Sequence, residues 1–265
     1  MNHRTLRRGG AALAALAAAA LCLAGCAKRQ TISHRLVSDD LRIRRMAFRE
    51  LDLLGAESQE RAVPDLVHLI ASNNPSISDM AVDALARLGN RALPALVAAL
   101  KHKDERIRAG AAEALGAMGP AALLATGALI ESLADRNSFV RLRSAAALGA
   151  FGDKADDAIP DLQARLRDED PYVRLETARA LFRVDPAQPG YLAVLLAGVA
   201  DPEMDVRYQA AEMLGEVGTA SPEAVPALAR ALDDQNFFVG LTAAEALKAI
   251  GTAEALQALQ DHKKK

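Results

Sequence analysis

The chain has 265 residues, of which 51% are apolar but only 3% aromatic, with no Trp and a formal net charge of −2. That charge excludes a general affinity for nucleic acid, which requires a basic surface. Alanine and leucine dominate the apolar residues and no stretch alternates Val, Ile and Thr, so the composition points to close-packed helices rather than strands.

The N-terminus carries Arg4, Arg7 and Arg8, followed by an unbroken apolar run from Ala11 to Leu23. The run is shorter than the roughly 20 residues of a membrane span. A basic start, a short apolar run and small residues after it predict a secretory signal peptide. Leu23-Ala24-Gly25-Cys26 resembles the bacterial lipobox, whose cysteine is lipidated and becomes the first mature residue. Cys26 fits that pattern, whereas Cys22 follows the bulky Leu21. Cleavage would remove three arginines and no acid, so the net charge of −2 would become −5. Two or more acyl chains hold a protein at a membrane firmly, where one does so only marginally. The resemblance implies a bacterial envelope protein, with covalent lipid on Cys26 and no other cofactor. Ala27 in place of Asp implies the outer membrane, facing the periplasm. The expected segments are a signal peptide over 1–25, a lipidated cysteine and short tether over 26–37, and a repeat domain over 38–265. Cys22 and Cys26 are the only cysteines, so the repeat domain has neither a disulfide framework nor thiolate metal ligands.

Over 38–265 one phrase recurs seven times. Its anchor leucine falls at Leu51, Leu85, Leu115, Leu148, Leu181, Leu214 and Leu247, at intervals of 34, 30, 33, 33, 33 and 33. Each unit reads as two helices. Pro64, Pro94, Pro160 and Pro226 precede Leu-x-x-Leu or a close variant and are expected in the first turn of the first helix. Asp135, Asp168 and Asp201 are expected to cap the second helix. Gly149 and Gly215, one residue past the anchor, are expected at its end. Positions −8, −4, −1 and 0 from the leucine share one face. One hairpin cannot bury such a stripe, but stacked neighbours can.

Arg44, Arg108, Arg141, Arg174 and Arg207 occur at one position of the repeat, on the edge of the buried stripe. Copy two has Ser78 there and copy seven has Gly240. A buried guanidinium needs acceptors. The turn acids Asp135, Asp168 and Asp201 are the expected partners, forming a polar ladder along the stack.

Val-Arg, an alanine-rich stretch, Leu-Gly and a later proline, repeated in tandem, resemble HEAT repeats. The short alanine-rich form is similar to that of phycobilisome lyases. The resemblance implies an all-α, right-handed solenoid of about seven helical hairpins, monomeric, binding a protein or peptide along a concave face lined by the second helices.

HEAT-like repeats also occur in enzymes. Deoxyhypusine hydroxylase resembles this fold and holds iron through His-Glu pairs. Here none of His3, His34, His68, His102 and His262 is followed by Glu, and none has His-x-x-x-His spacing. No calcium loop, phosphate loop or nucleophile elbow is present. The expectation is a scaffold without catalysis and without a metal. A lyase or hydroxylase, or a purely structural spacer, are the alternatives.

Positions −9, −6, −5 and −2 point away from the buried stripe and are free for function. They hold Phe139, Leu142, Arg143, Tyr172, Leu175, Glu176, Arg179, Tyr208, Gln209, Glu212, Phe238 and Leu241. Aromatic side chains on an exposed ridge suggest a contact surface, though position −9 could instead pack between repeats.

Overall fold

The computed structural model describes residues 32–36, 38 and 40–264, and every regular element among them is helical. The expected signal segment and Cys26 lie outside the described residues. The chain divides into two compact units, residues 1–66 and 67–265.

In the first unit, α1 (Ile32–Leu36) packs on α2 (Leu41–Leu53). Asp40 caps α2 by accepting the Arg42 N–H at 2.8 Å. Ala47, Phe48 and Leu51 form its buried face, and Arg35 donates to both carboxylate oxygens of Glu50. Gln59, in α3 (Ala56–Leu69), donates to the Leu51 carbonyl at 3.0 Å. Pro64 lies inside α3, not in its first turn, because the helix starts eight residues earlier.

The second unit is a helical solenoid. Its second helices are α4 (Pro75–Leu88), α6 (Glu105–Met118), α8 (Ser138–Phe151), α10 (Pro171–Val184), α12 (Met204–Val217) and α14 (Phe237–Ile250). First helices alternate with them: α5 (Leu93–Ala99), α7 (Thr126–Ser132), α9 (Ile159–Arg165), α11 (Tyr191–Gly198), α13 (Ala224–Ala231) and α15 (Ala253–His262). Each second helix packs against the next one in sequence, and all seven anchor leucines of the chain are buried. Pro94 and Pro160 stand in the first turns of α5 and α9, as expected.

Two expectations need correction. The caps of α8 and α10 are Asn137 and Asp170, two residues later than the expected Asp135 and Asp168. Glu203, not Asp201, precedes α12. Asp135 and Asp168 are committed elsewhere, to Arg108 and Arg141. Gly149 and Gly215 do not end their helices, which continue to Phe151 and Val217. They are where successive second helices meet: a Cβ on Gly149 would stand 2.8 Å from Ala180 Cα, and one on Gly215 would stand 2.9 Å from Ala246 Cβ. The true ends of α4, α6 and α8 are Gly89, Gly119 and Gly152, at φ near +60°, a region that favours glycine.

The stretch Glu105–Ser132 is long and apolar enough to cross a membrane. It turns at Gly119, however, and holds the buried Arg108 on Asp135, so it is a packed helix pair of the solenoid.

Candidate partner-binding face

The second helices carry a stripe at −9, −5 and −2, positions four and three residues apart that stack on one face. Phe139, Tyr172, Asp205 and Phe238 hold position −9; Tyr172 is half-buried and the other three are exposed. Arg143 lies 4.8 Å from the Phe139 ring centroid and pairs with Glu113 at 3.5 Å. The Tyr172 hydroxyl donates to Glu203 at 3.4 Å, and burial together with the Glu203 and Asp205 charges pushes that phenol up. Gln209 is half-buried and Glu212 is exposed. Arg179 pairs with Glu176 at 3.0 Å and with Glu216 at 3.4 Å. A shallow groove of about 340 Å³ between α12 and α14 is lined by Tyr208, Glu212, Glu216 and Glu245.

Not every expected position lies on this face. Leu175 and Glu176 are buried, and Leu142 is half-buried. Position −6 is rotated about 60° from −9 on a helix of 3.6 residues per turn. In α10 that turns Leu175 toward the next repeat, where a Cβ on Gly198 of α11 would meet it at 2.9 Å. Glu176 is buried with Arg179 as its partner. Tyr208 and Leu241 stay exposed.

The arginine series forms a ladder in the second unit. Arg108 donates from Nε and Nη2 to Asp135 at 2.7 and 2.9 Å. Arg141 does so to Asp168 at 2.9 and 2.7 Å, and Arg207 to Asp234 at 2.7 and 3.0 Å. Each Nη1 turns back to a carbonyl of its own preceding turn: His102, Asp135 and Asp201. Each paired carboxylate also accepts a backbone N–H, from Asn137, Asp170 and Asn236. Burial pushes Asp135 and Asp168 up, but the arginine bonds and these N–H groups hold both below the usual carboxylate range. Hydrogen bonds from Arg207 hold Asp234 low. In the first unit, Arg44 is buried and donates to the Ser38 carbonyl at 3.1 Å. Ser78 substitutes for the arginine with a 2.6 Å bond to the Ile70 carbonyl.

One expected rung is missing. Arg174 donates Nη1 to the Asp168 and Glu169 carbonyls at 2.9 and 3.1 Å, but holds no carboxylate. Among the described residues, the Asp201 carboxylate accepts only the Glu203 N–H. The helix contact here differs one position past the anchor leucine. Gly116, Gly149 and Gly215 there let α6, α8 and α12 lie on Ala147, Ala180 and Ala246 of the following helix. In α10 that position is Phe182, whose ring packs 5.5 Å from Tyr191, and Met213 is the repeat counterpart of Ala147, Ala180 and Ala246. α10 and α12 are the least closely packed successive pair in the run α6 to α14. A cleft of about 250 Å³ opens there, lined by Pro171, Arg174, Leu175, Val194, Asp201 and Val206. Glu216 crosses the junction with ion pairs to Arg179 and, at 3.0 Å, to Arg183.

Two features escaped the sequence reading. Asp234 completes the last rung; it stands 27 residues after Arg207, the spacing that separates the other bonded pairs. The break at Phe182 is visible in the sequence only once glycine is understood as the contact residue.

A family model described as HEAT repeats matches residues 63–126, 125–203 and 192–264. The chain belongs to the HEAT-repeat family. Among curated proteins none matches it. Of solved structures, it is similar to the complex of CpcE and CpcF of phycocyanin lyase from Nostoc sp. PCC7120 at 24% identity and TM-score 0.54, over 86% of this chain and 91% of that one. It resembles YibA of E. coli at 19% identity and TM-score 0.57, over 89% and 86% of the two chains. It also resembles Kap121p bound to Ste12p at 17% identity and TM-score 0.60, over 86% of this chain but 28% of that one. At these identities the likeness shows the fold: a HEAT solenoid, an architecture that presents extended surfaces for binding proteins.

Proposed function

We propose that this protein is a membrane-tethered, non-catalytic scaffold of the bacterial cell envelope that binds a protein or peptide along the second-helix stripe. The observation that carries the reading is the contrast within each helix. The anchor leucines and Arg108, Arg141 and Arg207 are buried, while Phe139, Tyr208 and Phe238 stay exposed beside Arg143 and Glu212. Exposed aromatic side chains flanked by charge are the composition of binding hot spots. Solved relatives of the fold bind proteins: CpcE is in complex with CpcF, and Kap121p is bound to Ste12p. Cys26 carries the tether, on the outer membrane and facing the periplasm, and the solenoid acts as a monomer. The lipid is the one added group; no metal takes part.

A photo-crosslinking residue at Phe139, Tyr208 or Phe238 in the native envelope tests the surface. The three sites should capture the same protein, and the exposed Asp161 on α9 should not. Capture from Asp161 alone, or from none, removes the reading. The intact mass of the mature N-terminus tests the anchor; an unmodified Cys26 removes it. Stoichiometric iron in the purified protein would overturn the non-catalytic assignment.

A further inference from the structure

Arg108, Arg141 and Arg207 each hold a carboxylate on Nε and Nη2 at 2.7–3.0 Å, with Nη1 anchored on turn carbonyls. Arg174 has the same anchorage, to the Asp168 and Glu169 carbonyls, and lines the cleft bounded by α10, α11 and the start of α12, with no carboxylate on its Nε and Nη2 among the described residues. Anchoring by Nη1 pre-orients the guanidinium, so little side-chain freedom is left to lose on binding. We propose that this fork receives the carboxylate of an acidic side chain on a partner polypeptide, with Leu175, Val194 and Val206 taking an apolar neighbour of that residue.

Three considerations support the assignment. Planar bidentate donors match a carboxylate better than any other common protein group. The cleft walls are largely apolar, which strengthens a charge-assisted bond inside it and favours a residue flanked by aliphatic side chains. Asp201, which lines the same cleft, does not forbid a second acid. Arg141 already holds Asp168 with the solvent-exposed Glu169 only 3.4 Å from the same Nη2. The other carboxylates of the ladder, Asp135, Asp168 and Asp234, are already bonded to their own arginines.

The inference rests on the scaffold reading but is tested apart from it. The full-length protein in detergent is treated with phenylglyoxal, and modified arginines are mapped by mass spectrometry. Arg174 should react, while Arg108, Arg141 and Arg207, whose forks are filled, should not. Added at about ten times its dissociation constant, the capped peptide acetyl-Leu-Asp-Leu-amide should slow modification of Arg174 about tenfold. It should leave the exposed Arg42 unchanged. Acetyl-Leu-Asn-Leu-amide and free acetate should not protect. Failure of the Asp peptide, or equal protection by the Asn peptide, overturns the proposal. Equal protection by acetate overturns the polypeptide source, leaving a small-carboxylate site. If protection fails while crosslinking from Phe139, Tyr208 and Phe238 persists, this inference falls alone.

Discussion

Arg141 and Asp168 share two hydrogen bonds of 2.9 and 2.7 Å between successive repeats, with 6% and 2% of their side chains exposed. Breaking a buried pair leaves an uncompensated charge, which costs more than the pair itself is worth. Asp168→Ala should therefore lose about 3–5 kcal/mol in urea denaturation. The pH dependence follows from the direction of the shifts. Asp135, Asp168 and Asp234 are all lowered in the folded state. Their stabilisation is fully present above the unfolded aspartate value, about 4, and is lost as pH falls through the lower folded values. Stability should be level across neutral pH and fall below about 4. Asp168→Asn should flatten part of that acid slope; an unchanged slope would show that the ladder does not govern acid unfolding.

Glycines in this fold are not interchangeable. Gly149 touches the backbone of Ala180, and an added Cβ would stand 2.8 Å from its Cα. Gly149→Ala must push α8 and α10 apart and should cost about 1–3 kcal/mol, the range for overpacking. Gly127 in α7 is exposed, with nothing within 4 Å of an added Cβ. Gly127→Ala should be neutral or stabilise by up to about 1 kcal/mol through lower chain entropy in the unfolded state. Thermal melts of the two variants should move in opposite directions.

The difference between these glycines also shows what was readable in the sequence. The recurring leucine states the repeat length directly, so helix pairing and the buried anchors follow from it. Arg108 and Arg141 with their aspartates were legible because a buried charge demands a partner. The partner for Arg174 is not legible, because pairing depends on how closely helices approach, and α10 carries Phe182 where its neighbours carry glycine. Leu175 was placed on the exposed ridge because angles on one helix do not reveal where the next repeat lies. Asp170 caps α10 while Asp168 serves Arg141; two acids so close cannot be told apart until the arginine is located.

Thr177 is fully buried in α10 and its hydroxyl has no hydrogen-bond partner. The equivalent residue is Ala111, Ala210 or Ala243 in other second helices, and Ser144 in α8, where Oγ donates to the Val140 carbonyl at 2.8 Å. A buried hydroxyl without a partner costs about 1–3 kcal/mol of desolvation. Thr177→Val keeps the shape and removes the polar atom. It should raise the urea midpoint by the equivalent of about 1 kcal/mol with an unchanged m-value. A loss of stability would mean that the hydroxyl is satisfied in solution.

The wedge at Phe182 should be removable. Giving α10 the small contact residues of its neighbours, with Phe182→Gly and Met213→Ala together, should let α12 approach as α8 approaches α10. Asp201 would then come within reach of the Arg174 fork and complete the ladder. In the native protein, the coupling between Arg174→Ala and Asp201→Ala should be near zero, since no bond joins them. In the wedge-free background it should rise to about 1.5–3 kcal/mol, the worth of charged hydrogen bonds. The double variant itself loses the Phe182–Tyr191 contact, so its absolute stability falls; the coupling energy, measured by urea denaturation around each cycle, isolates the rung. A coupling that stays near zero in both backgrounds would show that α11, and not the bulk of Phe182 and Met213, holds the cleft open.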